Sequence, residues 1–211
     1  MQFDLRGLAP RDRYKLLVSV VVPRPIALVT SLGANGQVNA APFSFFNVMG
    51  SDPPVVVLGV GNREPEEPKD TARNIRAAGE FVINIVDEAI AEKMNICAVD
   101  FPPGADELAA AGLTPAPSTQ IEPPRIMESP VNLECRRHSI LEIGATRVIV
   151  GEVVHLHIRD DLIDSSNFHV ATERLEAIGR LHGAGWYART TDRFQMPRLS
   201  YQEWLAQQEE K

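Results

Sequence analysis

Four groups of side chains in this 211-residue chain are suited to chemistry. Thr30 and Ser31 stand side by side after an apolar run, and Ser44 lies on the return leg of the same segment. The small residues Ala40 and Ala41 lie between them, and small residues let a flat ligand approach main-chain N–H groups closely. Lys69-Asp70-Thr71 precedes a stretch of helix-forming residues. A helix start offers free N–H groups and the positive end of the dipole, so it attracts anions. Lys69 adds a full charge there and Thr71 a hydroxyl donor. The same three residues also describe an ordinary capped helix with a solvated lysine. His182 lies in a glycine-rich stretch, and an imidazole can orient a substrate or deliver a proton near neutrality. His155 and His157 share one face of a predicted strand. Two imidazoles at that spacing can bind a metal, but the nearby sequence offers no carboxylate or thiol companion, so a solvated strand face is expected and no metal is assigned.

The elements that must position these groups are mostly strands. Pro23 to Asn47 reads as a β-hairpin, because apolar stretches flank a turn at Gly33–Gly36 and Asn35-Gly36 is a strong hairpin signal. Pro10 to Val18 reads as a short helix with Pro10 in the first turn. Val20 to Val22 reads as extended. Pro54 to Val60 is a continuous apolar strand, expected to be buried on both faces. Residues 61–69 read as a polar loop carrying Glu64, Glu66 and Glu67, which would repel an anion. Thr71 to Ala78 is a helix stopped by Gly79. Glu80 to Val86 alternates as a strand, and Glu88 to Val99 has a helical pattern. Asp106 to Ala111 is a second short helix, so residues 88–115 form a helical excursion packed outside the strands. Val131 to His138 and Thr146 to Ile158 are further strands, with part of Ser139–Gly144 between them and a turn at Gly144-Ala145. Ser200 to Lys211 is a helical, exposed tail. One domain, residues 1–211, is expected.

Composition narrows the partners. The formal net charge is −7 and the pI about 5.3, which argues against nucleic acid, whose phosphates demand a basic face. No apolar run is long enough for a membrane span, and the charged N-terminal stretch lacks the apolar core of a signal peptide. Cys97 and Cys135 are too few for a disulfide framework. A cytoplasmic protein is expected.

VTSLGANGQVNAAPFSFFN (29–47), PKDTARNI (68–75) and GRLHGAGWYART (179–190) together resemble the motifs of the flavin reductase-like, FMN-binding split-barrel family. The resemblance covers nearly the whole chain. It implies a mainly β fold with peripheral helices: an antiparallel Greek-key split barrel. It implies that FMN lays its ring along Ala41, Pro42, Phe43 and Ser44, with Thr30 and Ser31 facing it from the paired strand and Asn47 nearby. It sets the phosphate at Lys69 and Thr71, and leaves His182 as a substrate-side candidate. Asn47 can instead fix its own loop by bonding local backbone. Phe45 and Phe46 should point to opposite sides of their strand, one into the core. The sequence holds no glycine loop of the dinucleotide-fold kind, so NADH or NADPH would stack directly on the flavin. Hydride transfer needs no side-chain acid or base, so no catalytic residue is assigned. The implied function is an FMN-dependent NAD(P)H:flavin (or other acceptor) oxidoreductase, homodimeric, with a partner oxygenase among the possible acceptors. A flavoredoxin-like electron carrier and a non-catalytic flavin-binding module are the alternatives.

Overall fold

The computed structural model describes every residue except 65, 66, 103, 210 and 211. Glu66 therefore lies outside the described residues. Seven of the eight strands of the main sheet form one path: β1 (Ala27–Leu32), β2 (Val38–Phe43), β3 (Phe46–Ser51), β4 (Pro54–Glu64), β5 (Glu80–Ile85), β6 (Val131–Ile143) and β7 (Thr146–Ile158), and the eighth, Glu67–Pro68, pairs with β4 off that path. Their spatial order is β2-β1-β5-β6-β7-β4-β3, and every neighbouring pair is antiparallel. The first and last strands of that order are joined by Ser44 and Phe45. A link that short reaches about 11 Å from Phe43 to Phe46 at full extension. The two edges must therefore come together, and the sheet curls into a half-barrel.

Why the strands form where they do is local chemistry plus pairing. Leu32 pairs with Val38, and Gly36 takes φ +78° in the turn between, where a Cβ would be strained. In β1, Ala27 and Val29 enter the barrel core while Leu28, with Ile26 just before the strand, packs against a second, outer cluster. Both faces of this strand are covered, which is why it reads as an unbroken apolar run. β4 differs from expectation. Val56, Leu58 and Val60 are fully buried, whereas Val55 and Val57 are half-buried, so only one face enters the core. Phe46 is buried in the core and Phe45, in the link just before β3, is exposed, so the two point to opposite sides as expected.

Four boundaries differ from expectation. β4 runs on through Glu64, because Thr146 and Arg147 of β7 supply partners for Gly61 and Val60, and Asn62 then pairs back with Pro68. The polar composition of residues 61–69 conceals this extension. β6 is one strand through Ile143, bent by irregularities at Glu134/Cys135 and Arg137/Ser139. Within residues 88–99 only α3 (Ala91–Ile96) is α-helical, since the Asp87 carboxylate accepts the Ile90 N–H at 3.1 Å and holds the preceding residues in a turn. Val20 closes α1 (Pro10–Val20) instead of opening a strand.

The helices pack against both faces of the hairpin. α2 (Asp70–Ala78) sends Ala72 and Ile75 into the barrel core and ends at Gly79 with φ +77°. α3 and α4 (Glu107–Ala111) contribute Met94, Leu108 and Ala111 to the outer cluster with Ala40 and Ile126. Near the C-terminus, β8 (Ile178–Arg180) pairs with Arg24-Pro25 and with β9 (Tyr187–Arg189). A helix, Tyr201–Glu209, follows.

Candidate functional site

A groove runs along β2 between the start of α2 and the β8–β9 hairpin. Its inner part, about 130 Å³, is lined by Asn39, Ala41 and Pro42 of β2, by Arg63, and by Lys69 and Thr71 at the start of α2. Its outer part, about 340 Å³, is lined by Tyr14, Pro42, Phe43, Ser44, Arg180 and Tyr187. Pro42 and Ala98 border both. The small β2 side chains keep the main chain accessible, and strand pairing with β1 holds it straight.

The inner end mixes charges: Arg63 and Lys69 line it together with Asp70, Asp100 and Glu107. Lys69 occupies the N-cap position of α2 and has no side-chain capping bond, so the first-turn N–H groups keep donor capacity. Its ammonium lies 5.9 Å from the centroid of the Phe43 ring and makes no ion pair among the described residues. Thr71 is buried, and its hydroxyl accepts from Asn39 Nδ2 at 3.0 Å while keeping its own proton to donate. Arg63 is the residue that sequence reasoning missed. Back-pairing of Asn62 with Pro68 carries it to α2, where Nη2 lies 3.1 Å from Asp70 Oδ2. Its Nε is buried and has no partner. A buried donor left unpaired is costly, and the Nε of Arg147, which lines neither part of the groove, is in the same state.

The opposite wall carries carboxylate and thiol groups. Glu107 Oε2 accepts the Ala40 N–H at 3.2 Å. Burial pushes the Glu107 carboxyl above the usual carboxylate range, and Asp70 and Asp106 add to it, against the N–H groups of its own backbone and Ala40. Burial, with the Glu107 charge adding to it, pushes the Cys97 thiol up to about 12. It stays protonated and is no nucleophile at neutral pH.

The outer end is held by a buried arginine. Arg24 Nη1 donates to the carbonyls of Val18 (2.6 Å) and Val21 (2.8 Å), and Nη2 donates to Leu181 (2.9 Å). Its Nε donates to Ser44 Oγ at 3.3 Å. Burial lowers its pKa, and the Arg180 charge acts in the same direction. One guanidinium thus ties α1, the hairpin and the C-terminal segment together. Arg180 lies 4.6 Å from the Tyr187 ring centroid and donates to the Gly183 carbonyl at 2.8 Å.

Residues 19–178 match the family model described as the flavin reductase like domain. The chain belongs to that family. Its fold is the family's split barrel, as the sequence motifs imply. A protein of uncharacterized function from Deinococcus radiodurans is 45% identical over 210 residues, covering 97% of this chain and 92% of that one. The crystal structure of 2-nitrobenzoate 2-nitroreductase from Pseudomonas fluorescens is 40% identical, covers 95% of this chain and 98% of that one, and superposes with a TM-score of 0.87. Nitrilotriacetate monooxygenase component B from Bacillus cereus is 33% identical, with 93% and 98% covered and a TM-score of 0.88.

Within this family member the expected site residues divide into two sets. Ala41, Pro42, Phe43, Ser44, Lys69 and Thr71 converge on the groove. Thr30, Ser31 and Asn47 line neither part of it. Thr30 is fully buried, donates to the Pro124 carbonyl at 2.5 Å and accepts from Asn84 Nδ2 at 3.3 Å, so its hydroxyl does not face the groove as expected. Ser31 is also fully buried and accepts from Asn74 Nδ2 at 3.1 Å, so its side chain braces α2. Asn47 Oδ1 accepts the Val48 N–H at 2.8 Å, the local role that its residue type allows. His182 lies in the loop beside the outer chamber, its ring stacked on Trp186 at 6.4 Å between centroids.

Proposed function

We propose that this chain is an FMN-dependent reductase that draws electrons from NADH or NADPH and delivers them to a small acceptor. The observation that carries this reading is the continuity of the groove: an anion-binding helix start opens, past a strip of small residues, into a chamber with aromatic walls. Arg63, Lys69 and Thr71, which line the inner part together, would hold the phosphate. Ala41, Pro42, Phe43 and Ser44 would bed the ring. The bound flavin supplies the hydride-accepting chemistry, and the protein positions and shields it. Tyr14, Arg180 and Tyr187 line the space left for the second substrate, and no side-chain acid or base is required there. The two similar solved proteins, a nitroreductase and a monooxygenase component, support a reductase acting on a small molecule or beside an oxygenase. A homodimer would cover Val48 and Met49, which are exposed on edge strand β3.

The test begins with the absorbance spectrum of purified protein loaded with FMN. Anaerobic mixing with NADH and, separately, NADPH should bleach the flavin band within seconds. Bleaching by dithionite alone would make the chain an electron carrier. Failure to bind FMN at all would defeat the proposal.

A further inference from the structure

Glu134, His155 and His157 stand on the face of β6 and β7 turned away from the barrel core, apart from the groove. Strand register sets His155 opposite Glu134 and His157 opposite Asn132. Strand alternation puts both imidazoles on that one face. The carboxylate comes from the neighbouring strand, a companion that the spacing of the histidines alone does not reveal. One ligand atom from each of the three lies within 4.8 Å of the other two.

The carboxylate is fixed before any ion arrives. Glu134 is fully buried. Its Oε1 accepts the Thr119 N–H and its Oε2 the Gln120 N–H, each at 2.7 Å. Those bonds use two of its roughly four acceptor positions. His157 Nε2 sits 2.6 Å from Oε1. Asn132 does not compete, because its Nδ2 is spent on Asn84 Oδ1 and the Ile126 carbonyl. His155 is half-buried, makes no hydrogen bond among the described residues, and packs its ring 4.7 Å from that of His157. Holding Thr119 and Gln120 explains Glu134 and explains nothing about His155.

We propose that Glu134, His155 and His157 bind a divalent transition-metal ion. Two imidazole nitrogens and one carboxylate oxygen, with the remaining positions open to water, suit zinc and its neighbours. Magnesium and calcium want more oxygen ligands. The ion takes the place of the proton shared between His157 and Glu134. In the neutral ring that proton moves to Nδ1, and His157 draws back slightly to admit the metal. The site does not depend on the flavin assignment, since none of its three ligands lines the groove.

The test is calorimetric titration of zinc chloride into the full chain after treatment with a chelator. One ion should bind per chain, saturably, and should raise the thermal midpoint. H155A should weaken binding by at least about tenfold and abolish the zinc-induced rise, while leaving the zinc-free thermal midpoint and FMN binding as in the parent. H157A should weaken zinc in the same way. Absence of saturable binding, or equal affinity in H155A and the parent, would overturn the site. The intact zinc-free stability of H155A keeps the result readable even where H157A loosens the Thr119–Gln120 loop.

Discussion

Arg63 lines the inner part of the groove and Arg24 braces Ser44 behind its outer part, and the two spend their donors differently. Arg24 gives its guanidinium to three backbone carbonyls and one hydroxyl, all within the protein. Arg63 gives one nitrogen to Asp70 and leaves a buried Nε unpaired. An arginine of the first kind is a cross-link, and its loss is felt in folding. One of the second kind carries an unmet demand, and its loss is felt in ligand affinity. Sequence position says nothing of this, because both are single arginines beside prolines or polar residues.

The largest effect should come from Arg24→Ala. It strands carbonyls of Val18, Val21 and Leu181 near the buried guanidinium site, and about 3 kcal/mol of unfolding free energy should be lost. Urea denaturation measures it. Arg24→Lys should recover little, since an ammonium cannot span the same fork of acceptors. If Arg24→Ala keeps full stability but loses FMN, the two arginines are not different in kind.

Next is the Arg63→Ala/Lys69→Ala double variant. Removing two charge-assisted donors should weaken FMN by more than about tenfold, read by fluorescence quenching of free flavin. Its denaturation midpoint should stay close to the parent's. A Thr71→Ala change added to it should weaken FMN further. Unchanged FMN affinity in the double variant would remove the anion from this end of the groove.

The smallest effect concerns Glu107. Burial raises its folded pKa above the unfolded value of about 4.3. A group shifted that way favours folding fully below its unfolded pKa, and that contribution is lost as pH rises through the folded pKa. Glu107→Gln should therefore melt slightly higher than the parent at pH 8, with the gap closing below about pH 4. A gap that is constant with pH would show that the carboxyl is not desolvated.

Much of this molecule was legible in its residues. The hairpin, the Asn35-Gly36 turn, the helix expected over Thr71 to Ala78 and the opposed Phe45 and Phe46 all follow from local rules, and the structure has each, with the helix starting one residue earlier at Asp70. What stayed hidden depends on partners distant in the chain. Residues 61–64 form a strand because β7 pairs with their start. Thr30 turns from the groove because the Pro124 carbonyl, 94 residues away, takes its proton. Arg63 reads as a loop residue until back-pairing of Asn62 with Pro68 brings it to α2. The same holds for Glu134, which no spacing within its own strand connects to His155 and His157.

Cys97 has a consequence for durability. It lines the inner part of the groove, where, on the proposed reading, a reduced flavin meeting oxygen would release peroxide. Peroxide attacks thiolate sulfur, and a thiol held near pKa 12 has almost none at neutral pH. This groove thiol is thus chemically quiet. Repeated turnover in air should leave it free of sulfenic acid, sparing the wall beneath Pro42 from slow oxidative wear.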